Sequence, residues 1–442
     1  MEDFEMFPRK LFYLFQLRKN LRSKPSKLLE IRWKKFKFML KYAYENVPFY
    51  HRKFKHVGIK PDDIRSENDL AKIPFTTKFE IQTSPFEDVV SKTVNIDRCI
   101  KTTTSGSTGI PLTVVSDRVA EDFSFAVWAR AMLENGLRPL VDRMATIRHP
   151  KYLQQKKDFV GMLWARRRKQ ISVFDSAEQQ LEILEDFKPD VIKGYSSSLA
   201  ILADLCKKRG SLVKPRLVFT GADFLTAKNR ALIKSAFGCE LFDYYGCIEF
   251  SLLAWECGEH VGYHINVENV LVEFIKEGEA VAPLERGEIV CTSLVNYAMP
   301  LIRYRLGDVG VPLNDQCPCG RTLPLIKIVE GRVDDFLTTL DGRIISGQIF
   351  SENYPFEDWE KEGIKQFRVI QERRDKLTLK VAVRRGVFNE VPVLEKAKRK
   401  LQEVFGQDMN IEFQVVDELE RDPSGKIRIA ISKVPVNWAG SN

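Results

Sequence analysis

"DVIKGYSSSLAILADLCKKRG" (Asp190–Gly210) decides the fold. A short apolar run, a serine-rich turn and apolar residues at three- and four-residue spacing, closed by Gly210, read as strand, turn and amphipathic helix. "RLVFTGADFLTAKNRALIKSAFG" (Arg216–Gly238) repeats the plan, and "CELFDYY" (Cys239–Tyr245) opens another strand. Repeated strand–turn–helix units predict a mainly parallel sheet covered by helices. Toward the N-terminus the chain reads as helical, with "LLEIRWKKFKFMLKYAYEN" (Leu28–Asn46) stopped at Val47-Pro48. Toward the C-terminus "NVLVEFI", "GEIVCTSLV" and "PLIRYRLGD" predict a smaller, more antiparallel β-rich subdomain. Beyond "EGRVDDFL" a hairpin (Phe367–Gly386), a helix (Val391–Gly406) and a strand (Asn410–Val416) make a compact α+β unit. The expected fold is therefore α/β. A large N-terminal domain, 1–333, is helical over 1–95, α/β over 96–256 and β-rich over 257–330; a small mobile α+β domain follows over 334–442.

A length of 442 residues suits two or three domains, and 44% hydrophobic with 29% charged residues is a globular composition. No apolar run approaches the roughly 20 residues that span a bilayer. Glu2, Asp3 and Glu5 make a poor secretory signal, so a cytoplasmic location is expected. The eight cysteines do not form a disulfide framework. The net charge of +9 is uneven: Arg9 to Lys41 holds twelve Lys or Arg and one acid, Glu30, and "ARRRKQ" (Ala165–Gln170) forms a second knot. Such runs are solvated helix faces, a weak membrane-surface contact or a dock for an acidic partner. No nucleic-acid module accompanies them, so nucleic acid is not an expected partner. Monomer and homodimer both remain open.

Several short stretches carry chemistry. In "KTTTSGSTGIPLTV" (Lys101–Val114), Thr104, Ser105, Gly106, Ser107, Thr108 and Gly109 offer backbone N–H groups and hydroxyls to phosphate oxygens. The lysine of a Walker-type loop is absent, since Gly109 is followed by Ile110. "YYGCIEF" (Tyr244–Phe250) puts an aromatic ring and Glu249 after a strand, with Gly246 for a sharp turn. There a ring stacks on a base and a carboxylate holds Mg²⁺. "YRLGD" offers Asp308 to ribose hydroxyls, "GRVDD" offers Arg332 to ribose or phosphate, and the Pro-Ser-Gly turn of "RDPSGKIR" presents Lys426. Each alone is equally an ordinary surface turn. Cys257 with His260 or His264 in "WECGEHVGYHI", and Cys317 and Cys319 in "CPCGR", supply three thiolates and an imidazole, a donor set that suits structural zinc.

Together, in this order, the motifs resemble those of the ANL superfamily of adenylate-forming enzymes over nearly the whole chain. "VPFYHRKF", "YHINVENVLVEF" and "RYRLGD" followed by "CPCGR" are similar to the phenylacetate–coenzyme A ligase branch and its capsule-biosynthesis-type relatives. The resemblance implies an ATP-dependent ligase that activates a small-molecule carboxylic acid as acyl-AMP and passes it to an acceptor. That acceptor is coenzyme A, or in same-fold alternatives an amine of a sugar, peptide or carrier; adenylation of an acid-bearing cofactor and a non-catalytic binding protein on the same fold are further alternatives. By resemblance Tyr245 stacks on adenine, Gly221, Ala222 and Asp223 line the base, Asp308 holds the ribose, and Asp334 is the hinge that swings catalytic Lys426 in. Mg²⁺ on Glu249 assists, and zinc sits on Cys257, His264, Cys317 and Cys319. Ile248 and Phe250 depart from the small or hydroxyl residues usual there, and Met144–Ser176, with its many cations and His149, departs from the phenylacetate ligases proper. Those cations hint at a polar, anionic or surface-borne substrate.

Overall fold

The structure is a computed structural model describing residues 2–104, 112–150, 167–332, 336–346, 349–350, 355–356, 361–384, 386–420 and 428–434. Helices α1 (Glu2–Asn20), α2 (Pro25–Asn46), α3 (Pro48–His56), α4 (Lys78–Thr83) and α5 (Phe86–Val89) open the chain. Val47 ends α2 in an extended conformation, and Pro48 starts α3 at the position where its missing N–H is harmless. A β-hairpin follows, β1 (Ile100–Thr103) with β2 (Thr113–Ser116), and then α6 (Arg118–Glu134).

The main body is built on one twelve-stranded sheet. Its parallel part runs β4 (Arg168–Ser172), β3 (Met144–Arg148), β5 (Val191–Tyr195), β6 (Leu217–Gly221) and β7 (Glu240–Cys247). The connections hold α7 (Ala177–Phe187), α8 (Ser196–Arg209) and α9 (Ala227–Phe237). Beyond β7 every neighbour is antiparallel: β8 (Ser251–Glu256), β9 (Tyr263–Ile265), β14 (Leu325–Arg332), β13 (Tyr304–Leu313), β12 (Gly287–Ser293), β10 (Val270–Lys276) and β11 (Glu279–Ala280). The β-rich segment is thus antiparallel as read, but it continues the parallel sheet. The pairing of β7 with β8 consumes the edge that a separate subdomain would have left open.

Local chemistry explains the βα units. Ser176 and Thr226 cap α7 and α9 by accepting from the N–H groups of Gln179 and Asn229 (3.2 and 3.0 Å), and α8 and α9 close on Gly210 and Gly238 in the left-handed region. The serines Ser196–Ser198 are the first turn of α8 rather than a loop before it. One face of the parallel strands, with Ile147, Ile192, Val218 and Leu241, packs on α7–α9. The other, with Val191, Phe219 and Tyr244, packs on α6 and joins the core of the N-terminal helices.

The basic N-terminal helices turn much of their charge inward. Arg9 donates to Asp122 (2.6 Å), and Lys35 to the Glu268 carbonyl (2.7 Å). Buried Arg130 donates to Glu268 (3.0 Å), Asn266 (2.6 Å) and the Leu17 carbonyl (3.0 Å). Burial pushes Lys35 down to about 8. These acidic partners lie within the chain, which a charge count along the sequence does not reveal. Arg168 and Lys169 of the second basic knot lie on edge strand β4, not on a helix face; Ala165 and Arg166 are outside the described residues.

The C-terminal residues form a separate four-stranded sheet, ordered β19 (Asn410–Val416), β18 (Lys376–Val383), β17 (Ile364–Arg373) and β20 (Ala430–Ser432). Helix α10 (Glu390–Phe405) buries Leu394, Ala397, Leu401 and Phe405 in the core shared with that sheet. A short pair, β15 (Phe336–Thr338) with β16 (Ile344–Ser346), precedes it. Among the described residues no helix is long and apolar enough to cross a membrane.

Candidate active site

Strand β7 runs up the centre of the sheet, and its end carries the site. Tyr245 donates its phenol proton to Asp308 (2.6 Å), joining positions far apart in sequence. Burial, then the Asp308 carboxylate, raises the Tyr245 phenol well above its usual pKa, so it stays a donor. The residues Ile248–Phe250 turn the chain from β7 into β8, and on that turn Glu249 accepts from the Tyr304 hydroxyl (3.5 Å). The sequence reading did not single out Tyr304, although it opens "YRLGD". An aromatic hydroxyl next to a motif that ends in a carboxylate is a signal too common to read alone.

Gly246 is not the turn residue. It lies within β7 at a shift of register, opposite Leu252, and a Cβ there would overlap the Ser251 carbonyl oxygen. Close approach of two backbones, rather than turn geometry, demands glycine. Gly246→Ala should therefore lower stability by about 1–3 kcal/mol, the cost of forcing extra volume into a packed site. A shift of the urea midpoint measures it, and an unchanged midpoint would refute the close approach.

Asp308 also lies inside a strand rather than after one. Between Arg305, opposite Val290, and Val309, opposite Glu288, β13 carries extra residues, and Gly307 adopts φ +81°. The bulge re-aims Asp308 while β13 continues. Across β13–β14, Asp308 is register partner to Arg332, whose side chain is outside the described residues. The start of "YRLGD" is fixed by the N-terminal region. Arg305 donates its N–H to the Thr76 carbonyl (2.9 Å), and buried Arg303 makes a two-nitrogen contact with Glu273 and donates to the Ile73 carbonyl (2.6 Å).

At the end of β6, Gly221 leaves room for the Tyr244 carbonyl, which a Cβ would meet at 2.8 Å, and Ala222 takes φ +71°. The Asp223 carboxylate accepts the N–H groups of Ser196 (2.6 Å) and Ser197 (3.1 Å). It caps α8 from the neighbouring unit, so the side chain expected to line a base is committed to a helix terminus.

Thr104 and Leu112 close the neck of the β1–β2 hairpin. The Thr104 N–H donates to the Leu112 carbonyl (2.8 Å), and the Leu112 N–H donates to Thr104 Oγ1 (2.9 Å). Ser105, Gly106, Ser107, Thr108 and Gly109 lie between these two in sequence and, with Asp334 and Lys426, are outside the described residues. His149 packs its ring edge-on to Phe174 at 5.2 Å.

A second cluster lies beyond β8. One ligand atom from each of Cys257, His264, Cys317 and Cys319 falls within 4.8 Å of every other. Cys257 and Cys317 sulfurs are 3.5 Å apart, and Cys319 Sγ lies 3.4 Å from His264 Nε2. His260 stands apart, with Nδ1 3.5 Å from Glu256 and its ring on Phe242. The CPCGR loop is docked by Arg321 on Glu134 (2.9 Å) and by the Thr322 N–H on the Leu21 carbonyl (2.9 Å).

This architecture is that of the adenylate-forming ligases. A solved 2-hydroxyisobutyryl-CoA ligase in the postadenylation state superimposes with a TM-score of 0.74 over 94% of this chain and 91% of its own, at 21% identity. A phenylacetate–coenzyme A ligase of Thermus thermophilus is 27% identical over 91% of this chain and 96% of its own length. One from Escherichia coli is 30% identical over 75% and 77%. Residues 337–433 match a family model described as the CapK C-terminal domain. The chain belongs to the phenylacetate–coenzyme A ligase family, and is an AMP-forming ligase.

Proposed function

We propose that this chain joins a carboxylic acid to coenzyme A in two steps on one nucleotide site. The acid's carboxylate oxygen attacks the α-phosphorus of ATP and pyrophosphate leaves. The thiolate of coenzyme A then attacks the acyl carbon and AMP leaves. The observation that carries the reading is the convergence of Tyr245 with Asp308 and of Glu249 with Tyr304 at the end of β7. Open α/β sheets take their ligands at the carboxyl ends of strands. In this reading Tyr245 and the backbone of Gly221–Asp223 flank the base, Asp308 and Arg332 hold the ribose, and Thr104–Gly109 hold the β- and γ-phosphates. Glu249 would hold Mg²⁺, which neutralises charge at the phosphates.

Residues 334–442 act as the mobile lid, turning at Asp334 to bring Lys426 in for the first step and withdrawing it for the second. Their own sheet and core, which among the described residues share no strand with the twelve-stranded sheet, support this. Cys257, His264, Cys317 and Cys319 hold a structural zinc. A tetrahedral ion at about 2.3 Å from sulfur would separate the sulfurs by roughly 3.8 Å, close to the spacing found.

Acid-dependent exchange of labelled pyrophosphate into ATP tests the first step, and thioester formation on adding coenzyme A tests the second. Exchange with thioester is the expected result. Exchange with transfer only to an amine would replace coenzyme A as acceptor. No exchange with any aryl, fatty, amino or sugar acid would end the ligase reading.

A further inference from the structure

Helix α1 is held to the body by its inner face. Leu17 is buried, as is Leu21 just past the helix, and Arg9 donates to Asp122 (2.6 Å). Arg18 pairs with Glu134 (3.0 Å), and the Leu17 carbonyl accepts from Arg130 (3.0 Å). The outer face is nevertheless apolar over its middle: Phe15 is 70% exposed, Phe12 57% and Leu11 47%. Their spacing of one, three and four residues puts all three on one side of the helix. Phe125 on α6, also exposed, joins them at the flank, its ring centre 5.1 Å from the ammonium of Lys10, the residue before Leu11. Exposed apolar side chains standing singly are ordinary; a patch of them on a helix already fixed in place is not explained by packing.

Charge says what covers the patch. Pro8 to Leu29 holds seven Lys or Arg and no acid, while Glu2, Asp3 and Glu5 stand at the opposite end of the helix. Arg9, Lys10 and Arg18 turn to Asp122 and Glu134. Lys19, Arg22, Lys24 and Lys27 are exposed at the end of α1 and the start of α2, and among the described residues no acid pairs with them. Phe12, Phe15, Lys19 and Arg22 follow one another at three- and four-residue steps, so rings and cations share one side. We infer that α1 docks the protein on an anionic lipid bilayer, lying flat with Phe12 and Phe15 in the acyl boundary and Lys19, Arg22, Lys24 and Lys27 on the headgroups. Long cationic stems reach headgroup phosphates while the rings sit deeper. The back of a helix is convex, and a bilayer moulds to it, whereas an acidic protein would have to offer a matching hollow. The contact is peripheral, since among the described residues no helix is long and apolar enough to span. The inference goes beyond the ligase reading and stands without it.

Co-sedimentation of the full chain with vesicles tests it, using phosphatidylcholine alone or with about 30% phosphatidylglycerol. Wild type is expected to bind the anionic vesicles about tenfold more tightly than the neutral ones, and to lose most of that preference at high salt. Phe12→Ser with Phe15→Ser should weaken binding to the anionic vesicles about tenfold. Lys19→Gln, Arg22→Gln, Lys24→Gln and Lys27→Gln together should abolish the preference for anionic lipid. Both variants should melt at the wild-type temperature, because the side chains changed are exposed. Equal binding to neutral and anionic vesicles, or binding unchanged in both variants, would overturn the inference. So would a wild-type dimer in sedimentation velocity that the two serines convert to monomer, since the patch would then belong to a second copy of the chain.

Discussion

Lys426→Ala is expected to lower acid-dependent pyrophosphate exchange by about 10²–10³-fold, the usual cost of removing one preorganised charge from a developing anion. The first step brings a carboxylate against a triphosphate, two like-charged groups that must come within bonding distance. Nothing in the attack needs covalent help from the protein; it needs alignment and neutralisation. The stretch 105–109 offers N–H groups and hydroxyls but no cation, and Gly109 is followed by Ile110 where a Walker loop would place lysine. The missing positive charge must come from elsewhere, and Lys426 on "RDPSGKIR" is the residue the family pattern offers. Thioester formation from supplied acyl-AMP should persist in the variant, because thiol attack on an already activated acyl carbon does not require that charge. Exchange at the wild-type rate would remove Lys426 from the chemistry; equal loss of both steps would point instead to a lid that no longer folds.

Cys319→Ser should cost the protein its zinc and much of its stability. Four side chains from three separate segments, Cys257 after β8, His264 on β9, and Cys317 and Cys319 in the loop before β14, are held in one cluster. Zinc binding by such sites is worth about 10–16 kcal/mol in small peptides. If even about 4 kcal/mol of that is lost here, the melting temperature falls by roughly 5 °C. The purified protein should carry one zinc per chain, and chelation of the wild type should reproduce the loss seen in the variant. Zinc well below one per chain, in protein never exposed to chelator, would leave the cluster a set of reduced thiols. Because the cluster lies beyond β8, residual pyrophosphate exchange at low temperature is expected to survive in the Ser variant, which separates support of the fold from chemistry.

Much of this was legible along the chain. The βα units at Asp190–Gly210 and Arg216–Gly238 obey local rules: apolar spacing and glycine at the close, with Thr226 at the cap of the second. So do the hairpin and helix of the C-terminal unit. The thiol–imidazole cluster was legible because such side chains are rare enough to stand out; the residues alone left His260 and His264 open, the family resemblance favoured His264, and β9 turns His264 inward among the thiols.

What the sequence determined by itself is whatever depends on neighbours a few residues apart: the alternation of strands and helices, their caps, the class of enzyme carried by the ordered motifs. Tertiary structure decided what depends on pairing across long separations. Only the register of β7 against β8 shows that Gly246 answers to Ser251, and only the bulge in β13 aims Asp308 at Tyr245. Asp223 turned out to cap a neighbouring helix, and the basic N-terminus to spend cations on Asp122 and Glu268. Charge and hydrogen-bonding capacity can be read from a residue's type, but the partner that absorbs them is fixed by which strands meet, and strand pairing is set by the packing of the whole sheet.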